Sequence, residues 1–511
     1  MGRSRKAKLG FASDVGGTLL LTLVGLAMAP LILHYISVEV YGFWLTAVSV
    51  IAYLGLVDAG LGLALARTIA AYAGREDVRR VNQVISTAFF SFCAGGLIFA
   101  LIGLLIAPRV PDWFSIPTEN APDVVRAFRV AIVAGACALP CSIFSGINNG
   151  FQRMAFDNLS RTVVALTSLA LSVLLLYLNW GLMALAVSTL FQVFATAGLQ
   201  AIGVLRFQRG LRVSLSYCNR VDLKELVTFG GYFQLARIAN TVSLNSDNIV
   251  ISSILGAHAV TPYVFTAKLA TLFSVSLASK LPIAVMPGMA QLYENQNFSR
   301  LRTTFCQLTS FAVRLGVCSA TVCALGNRDF VILWVGNSQF GGLALSSMFC
   351  IWGLQDVFFR GAAGVIFASG RLRGFGFASI IEAALNVSLS LVLVQKYGLV
   401  GVALGTVVAK TLTTGWFVPV TICRSINLQL SRYLIDGLIK PAFRCLLGVS
   451  VVTVIFIGIG QGYEPSWWRL VLLGGAVFGT NILAFEGIQF ARDPMAAMRH
   501  MAPHWRKLWN R

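Results

Sequence analysis

Apolar runs long enough to cross a bilayer recur from one end of the 511-residue chain to the other. They fall near 12–34, 41–67, 82–107, 125–148, 160–178, 181–204, 226–255, 259–290, 303–325, 343–369, 374–395, 398–422, 441–460 and 467–489, and each is bounded by turn-forming or charged residues. A helix needs roughly 20 apolar residues to span the hydrocarbon layer. Within lipid every backbone N–H and C=O must be satisfied internally, so such runs fold as helices. Hydrophobic residues make up 57% of the chain and charged residues only 12%, against about 25% charged in soluble proteins. The reading is an all-α, polytopic membrane protein of about 14 transmembrane helices, with no room for a sizeable soluble domain.

Lys and Arg number 40 against 20 acids, a formal net charge of +20. On a soluble chain this excess would suggest nucleic acid; here the positive-inside rule accounts for most of it. With a cytoplasmic N-terminus, about 27 basic residues fall on inside loops and about 5 outside. Arg109, Arg126, Arg328, Lys396 and Arg469 make up the outside set. Both termini are therefore expected in the cytoplasm, the first apolar run is read as a retained helix, and no nucleic-acid partner is implied. Anionic membrane lipids reinforce the same bias. Trp113, Trp180, Trp334, Trp467 and Trp468 stand at outer ends of spans, where amphipathic rings anchor at the interface.

The longest internal inside loop, residues 206–225, separates six spans on each side. Shifting the chain by 220 residues sets Thr46 on Thr266, Ala47 on Ala267, Leu61 on Leu281 and Arg80 on Arg300, with hydropathy matching between them. An even number of spans per half makes such a repeat parallel, about an axis along the membrane normal. The expected organisation is an N-terminal six-helix bundle (1–205), a cytoplasmic linker (206–225), a second six-helix bundle (226–425), and two C-terminal helices with a basic cytoplasmic tail (426–511).

Charges inside a span are costly unless they are paired or face water, so they are the functional candidates. Along the seventh span Gln234, Arg237, Thr241, Asn245 and Asn248 recur at three- and four-residue steps, with Asp247 beside them. This polar face lines either a cavity or a polar helix interface. Lys268 and Lys280 in the eighth span and Arg314 in the ninth extend a cationic track, although Lys280 also suits snorkelling to the inner interface. Asp356 and Arg360, four residues apart, are expected to pair on one helix face. Asp58 is the most deeply placed acid of the first half. Glu382 and Lys410 are open to pairing with each other or with a coupling ion.

The sequence carries no phosphate-binding lysine loop, no H-E-x-x-H, no GxSxG elbow and no dinucleotide fingerprint. The ten Cys, such as Cys93, Cys137 and Cys350, lie scattered in apolar segments without metal-ligand spacing. Neither catalysis, a metal nor a cofactor is expected.

Three stretches in order resemble a known family: YGFWLTAVSVIAYLGLVDAGLGLALAR from Tyr41, NSDNIVISSILGAHAVTPYVFTAKLA from Asn245, and NRDFVILWVGNSQFGG from Asn327. Together with the D-x-I/V-x-I-x-x-x-L-G pattern beginning at Asp247, they are similar to the polysaccharide-transporter branch of the MOP superfamily, which includes Wzx-type lipid-linked oligosaccharide flippases. The resemblance covers roughly residues 10–425. It implies two six-helix lobes around a cationic cavity and export of a polyprenyl-pyrophosphate-linked saccharide from the cytoplasmic to the outer leaflet of the bacterial inner membrane. Arg237, Lys268, Lys280 and Arg314 would meet the pyrophosphate, and Gln234, Thr241, Asn245 and Asn248 would line the cavity. Asp58 and Asp247 would serve gating or coupling to H+ or Na+, and a polysaccharide polymerase and glycosyltransferases would be neighbours. The rival readings are a cation-coupled MATE-type drug exporter, a peptidoglycan-precursor flippase and a membrane glycosyltransferase or polymerase. The first would need cavity acids, and the last a large outer loop that is absent here.

Overall fold

A computed structural model describes residues 3–54, 61–73, 77–114, 116–207, 210–220, 231–278, 289, 291–369, 372–459 and 464–492. Every regular element among them is a helix, as the apolar runs require. In chain order the principal helices are α1 (Arg3–Tyr35), α2 (Val38–Leu54), α3 (Leu61–Ala73), α4 (Val78–Ile106), α5 (Ala121–Gly150), α6 (Met154–Tyr177) and α7 (Leu182–Phe207). They continue with α8 (Gly231–Ile254), α9 (Val260–Thr271), α10 (Phe298–Val335), α11 (Leu343–Ser369), α12 (Leu372–Leu412), α13 (Thr414–Ser425), α14 (Lys440–Ile459) and α15 (Trp467–Arg492).

Eight helical segments of the described residues are long and apolar enough to cross a membrane. One of them, Arg373–Ser425, has 53 residues and would extend about 80 Å at 1.5 Å per residue, far beyond a hydrocarbon layer of about 30 Å. Gly398 divides it. Its φ of 57° and ψ of −136° are not helical, and a positive φ is strained for any residue with a Cβ. The break falls between the two spans read at 374–395 and 398–422, so this segment holds more than one crossing.

The chain forms two compact units, and neither is continuous in sequence. The first comprises residues 1–264 and 371–414. Its largest core joins α3, α4, α5 and α7 through Leu65, Ile69, Val84, Ile85, Phe92, Ile143, Ile147 and Val204. The segment after α7 is docked rather than free. Asn82 of α4 donates to Gly210 O at 3.2 Å and accepts from Arg212 N at 3.0 Å. Ser86 and Thr87 accept from the backbone N–H groups of Ser214 and Asn219. In the same unit α8 packs against both α2 and α12.

The second unit comprises residues 265–370 and 415–511. The two C-terminal helices form its core with α10, through Val313, Val317, Val322, Val449, Val452, Leu473 and Val477. Cys318 and Cys445 lie with their Sγ atoms 3.8 Å apart in that core. They are buried free thiols, and Cys445 Sγ accepts from Asn481 Nδ2 at 2.6 Å. Asp356 and Arg360 of α11 pair at 2.6 Å, as their spacing predicts.

Candidate ion-coupling and substrate site

Asp247 is the centre of a polar network inside the first unit. It lies on α8, and its Oδ2 accepts a 2.6 Å hydrogen bond from Tyr263 Oη on α9 and a 3.3 Å bond from Thr406 Oγ1 on α12. Thr406 also reaches Asn386 Oδ1 at 3.0 Å, and Ser390 Oγ reaches the same oxygen at 3.2 Å. Ser390 Oγ lies 3.4 Å from Val402 O. The other carboxylate oxygen, Asp247 Oδ1, is buried and has no hydrogen-bond partner among the described residues.

Local sequence explains how these groups meet. Asn386 and Ser390, and Val402 and Thr406, are pairs four residues apart, which places each pair on one helix face. The non-helical Gly398 lies between them, so α12 turns and brings the second pair against the first. The D-x-I/V-x-I-x-x-x-L-G pattern ends at Gly256, whose φ of 91° forms the turn from α8 into α9, and this turn sets Tyr263 opposite Asp247. The result is a carboxylate, an amide oxygen, three hydroxyls and a backbone carbonyl in one cluster, an oxygen set suited to a proton or a hard cation. Asn386, Ser390, Thr406 and Tyr263 were not singled out from the sequence. The available signal was a neutral amide, Asn386, in the middle of an apolar run, where an unsatisfied polar group is as conspicuous as a charge.

The remaining polar face of α8 divides between packing and exposure. Asn248 Nδ2 donates to Ser49 Oγ of α2 at 2.9 Å, which makes that position a helix-to-helix contact. Asn245 Nδ2 returns to Thr241 O on its own helix at 2.8 Å. Arg237 is exposed. Gln234 lies on α8.

Lys268 lies on α9 in the second unit, half-buried. No hydrogen bond or ion pair of its ammonium is present among the described residues. Arg314, on α10 of the same unit, donates from Nε to Ser310 O at 3.3 Å and stands 6.0 Å from the Phe311 ring. Arg237 belongs to the first unit. Asp58 and Lys280 lie outside the described residues.

The first unit holds a second buried acid that the sequence reading passed over. Asp157 of α6 is only 2% exposed and accepts from Arg161 Nε at 3.1 Å, Ser145 Oγ at 2.9 Å and Gln200 Nε2 at 2.6 Å. The apolar run read at 160–178 starts after it, whereas α6 begins at Met154. The Asp157–Arg161 spacing of four was the visible signal. With a basic partner and two polar donors, this site ties α5, α6 and α7 together. In the second half, Glu382 accepts from the Thr414 hydroxyl, and Lys410 is buried in α12.

Among solved structures, the inward-facing conformation of a multidrug resistance MATE family transporter of the MOP superfamily has the same fold, with a TM-score of 0.65, 17% identity, and coverage of 82% of this chain and 98% of that one. That likeness shows the fold: the long helices of this chain follow the MATE-like fold of that structure. Residues 10–293, more than half the chain, match the polysaccharide biosynthesis protein family, and the chain belongs to that family. It is also similar to a putative O-antigen transporter of Shigella flexneri, at 21% identity over 75% of this chain and 90% of the relative. A putative O-antigen export protein of Yersinia pseudotuberculosis is 21% identical over 80% of this chain and 94% of its own length.

Proposed function

We propose that the protein carries a polyprenyl-pyrophosphate-linked oligosaccharide from the cytoplasmic to the outer leaflet of the bacterial inner membrane, for surface polysaccharide biosynthesis. Transport proceeds by alternating access of two lobes, residues 1–205 and 226–425, around a cationic cavity, with both termini in the cytoplasm. The observation that carries this reading, beside family membership, is Lys268. A half-buried ammonium in an apolar helix, without an acid partner among the described residues, suits an anionic cargo. A pyrophosphate leaving water needs fixed cations to offset its desolvation, and Arg237, Lys268, Lys280 and Arg314 supply them. The prenyl chain stays in lipid while the headgroup crosses.

Asp247 couples this movement to H+ or Na+. Its buried Oδ1, on the carboxylate whose other oxygen meets the Thr406, Asn386, Ser390 and Val402 network, accepts the cation in one conformation and releases it in the other. Asp58 acts in gating. A polysaccharide polymerase and glycosyltransferases act before and after the carrier. A MATE-type exporter of cationic drugs needs acids where this chain offers Lys268 and Arg314. A peptidoglycan-precursor flippase would use the same cations on a different sugar, and the assay below separates the two by the lipid that accumulates.

The test is deletion of the gene in its host, followed by assay of surface glycan and of the lipid-linked intermediates on each leaflet. Loss of surface glycan, with complete repeat units held on the cytoplasmic leaflet, is the expected result. Unchanged glycan with retention of toxic cations transfers the assignment to a drug exporter. Trapped peptidoglycan precursor transfers it to that substrate, and outward-facing unpolymerised units point to a polymerase.

A further inference from the structure

The second unit contains an open groove of about 470 Å³ between α10 and the turn of chain that leads into α14. One wall is a face of α10, where Ser299, Thr303, Gln307, Ser310 and Arg314 follow at three- and four-residue steps with Arg302 beside them. Arg432 and Asp436 supply the other wall. Three guanidinium groups thus line a groove whose lining includes one carboxylate, and that carboxylate is already engaged. Asp436 Oδ1 accepts from Lys440 Nζ at 2.8 Å, and its Oδ2 lies 3.9 Å from Arg432 Nε. Arg302 is held in place by a 2.7 Å bond from Nε to Ile426 O, just past the end of α13. That bond uses one of the five N–H donors of its fork.

The helix that carries the Asp436 wall also bears an apolar stripe. Ile435, Ile439, Phe443 and Leu446 are all exposed and recur at three- and four-residue steps from beside Asp436 into α14. On a membrane helix such a stripe meets lipid chains. A cationic groove whose wall shares a helix with a lipid-facing stripe matches a molecule with an anionic head and a hydrocarbon tail.

We infer that this groove binds the phosphate headgroup of an anionic lipid, with the lipid tail lying along Ile435, Ile439 and Phe443. Arg302, Arg314 and Arg432 recognise the phosphoryl oxygens through charge-assisted bonds, while Ser299, Thr303 and Ser310 provide hydroxyl donors. Arg314 stands twelve residues from Arg302, about 18 Å along the helix, so the groove takes a head longer than one phosphate. This deepens the flippase reading by naming a headgroup site within one unit, but lipid binding is measured without transport.

The test uses the purified full chain in detergent, with native mass spectrometry of bound phosphatidylglycerol against phosphatidylcholine. The wild type retains phosphatidylglycerol preferentially. Arg314→Gln lowers that retention about tenfold, the scale of one charge-assisted hydrogen bond, and the exposed Arg432→Gln lowers it less. Asp436→Asn raises retention, a gain that misfolding does not produce. Polyprenyl diphosphate that displaces the phosphatidylglycerol assigns the groove to the transported lipid; failure to displace it assigns the groove to bulk anionic phospholipid. Equal retention of the two lipids by the wild type, or equal phosphatidylglycerol retention by wild type, Arg314→Gln and Asp436→Asn in monodisperse samples, overturns the assignment. Lost lipid retention with intact glycan export leaves the groove standing and removes only its link to transport.

Discussion

Tyr263 Oη donates a 2.6 Å hydrogen bond to Asp247 Oδ2 across the turn between α8 and α9, and the second carboxylate oxygen stays buried without a partner among the described residues. One oxygen is fixed, and in the proposed coupling role the other takes the cation. Asp247→Asn therefore removes the dependence of transport on its driving ion, and Thr406→Val, which deletes one neutral oxygen, weakens cation affinity about tenfold. Flipping in proteoliposomes, with Na+ replaced by choline or with the proton gradient collapsed, measures both. An Asp247→Asn protein whose transport still follows the ion gradient would falsify the coupling role.

Charge reversal at the cationic positions addresses the cargo. Lys268→Glu or Arg237→Glu abolishes glycan export while membrane insertion and monodispersity are retained, because each reversal places an anion on the proposed pyrophosphate path. Normal export from both variants removes the two residues from the substrate path.

Asp157 makes a different prediction, one of stability. Its carboxylate accepts from Arg161, Ser145 and Gln200, so Asp157→Ala strands buried donors on α5 and α7. Arg161 is 54% exposed in its side chain and contributes little through the ion pair itself. The loss comes from unsatisfied Gln200 and Ser145, about 1–3 kcal/mol. Thermal unfolding in detergent should show a clear drop in midpoint for Asp157→Ala, and an unchanged midpoint rejects the structural role.

Gly398 carries a φ of 57° in the middle of an apolar segment. Gly398→Ala forces a Cβ onto a positive-φ backbone conformation that only glycine adopts readily, at a cost of about 1–3 kcal/mol. The turn also brings Val402 and Thr406 to Asn386 and Ser390, so the substitution should lower cation affinity together with thermal stability. A stability loss with unaltered ion dependence separates the turn from the coupling site.

Membrane residence, the all-helical class and most helix positions could be read from the sequence because they follow from local hydrophobicity alone. A run of twenty apolar residues has only one economical fold in lipid. The i, i+4 pair of Asp356 and Arg360 was readable for the same reason, since helical spacing by itself brings the two together. The D-x-I/V pattern was visible at Asp247, and the resemblance offered it gating or ion coupling, but its hydrogen-bond partners were not visible.

Those partners are distant in the chain. Thr406 lies 159 residues from Asp247, and Asn386 and Ser390 are neutral residues in an otherwise ordinary apolar run. Hydropathy is blind to which helices become neighbours, because many pairings satisfy the same apolar faces. Tertiary packing placed α8 with α2 and α12, turned Asn248 into a helix contact with Ser49, and buried Asp157 at a helix start that the apolar pattern excluded. The sequence alone determined that this chain lives in the membrane and carries charges there; only the packing of its helices decided which of those charges are paired, which are held by oxygen ligands, and which line an open groove.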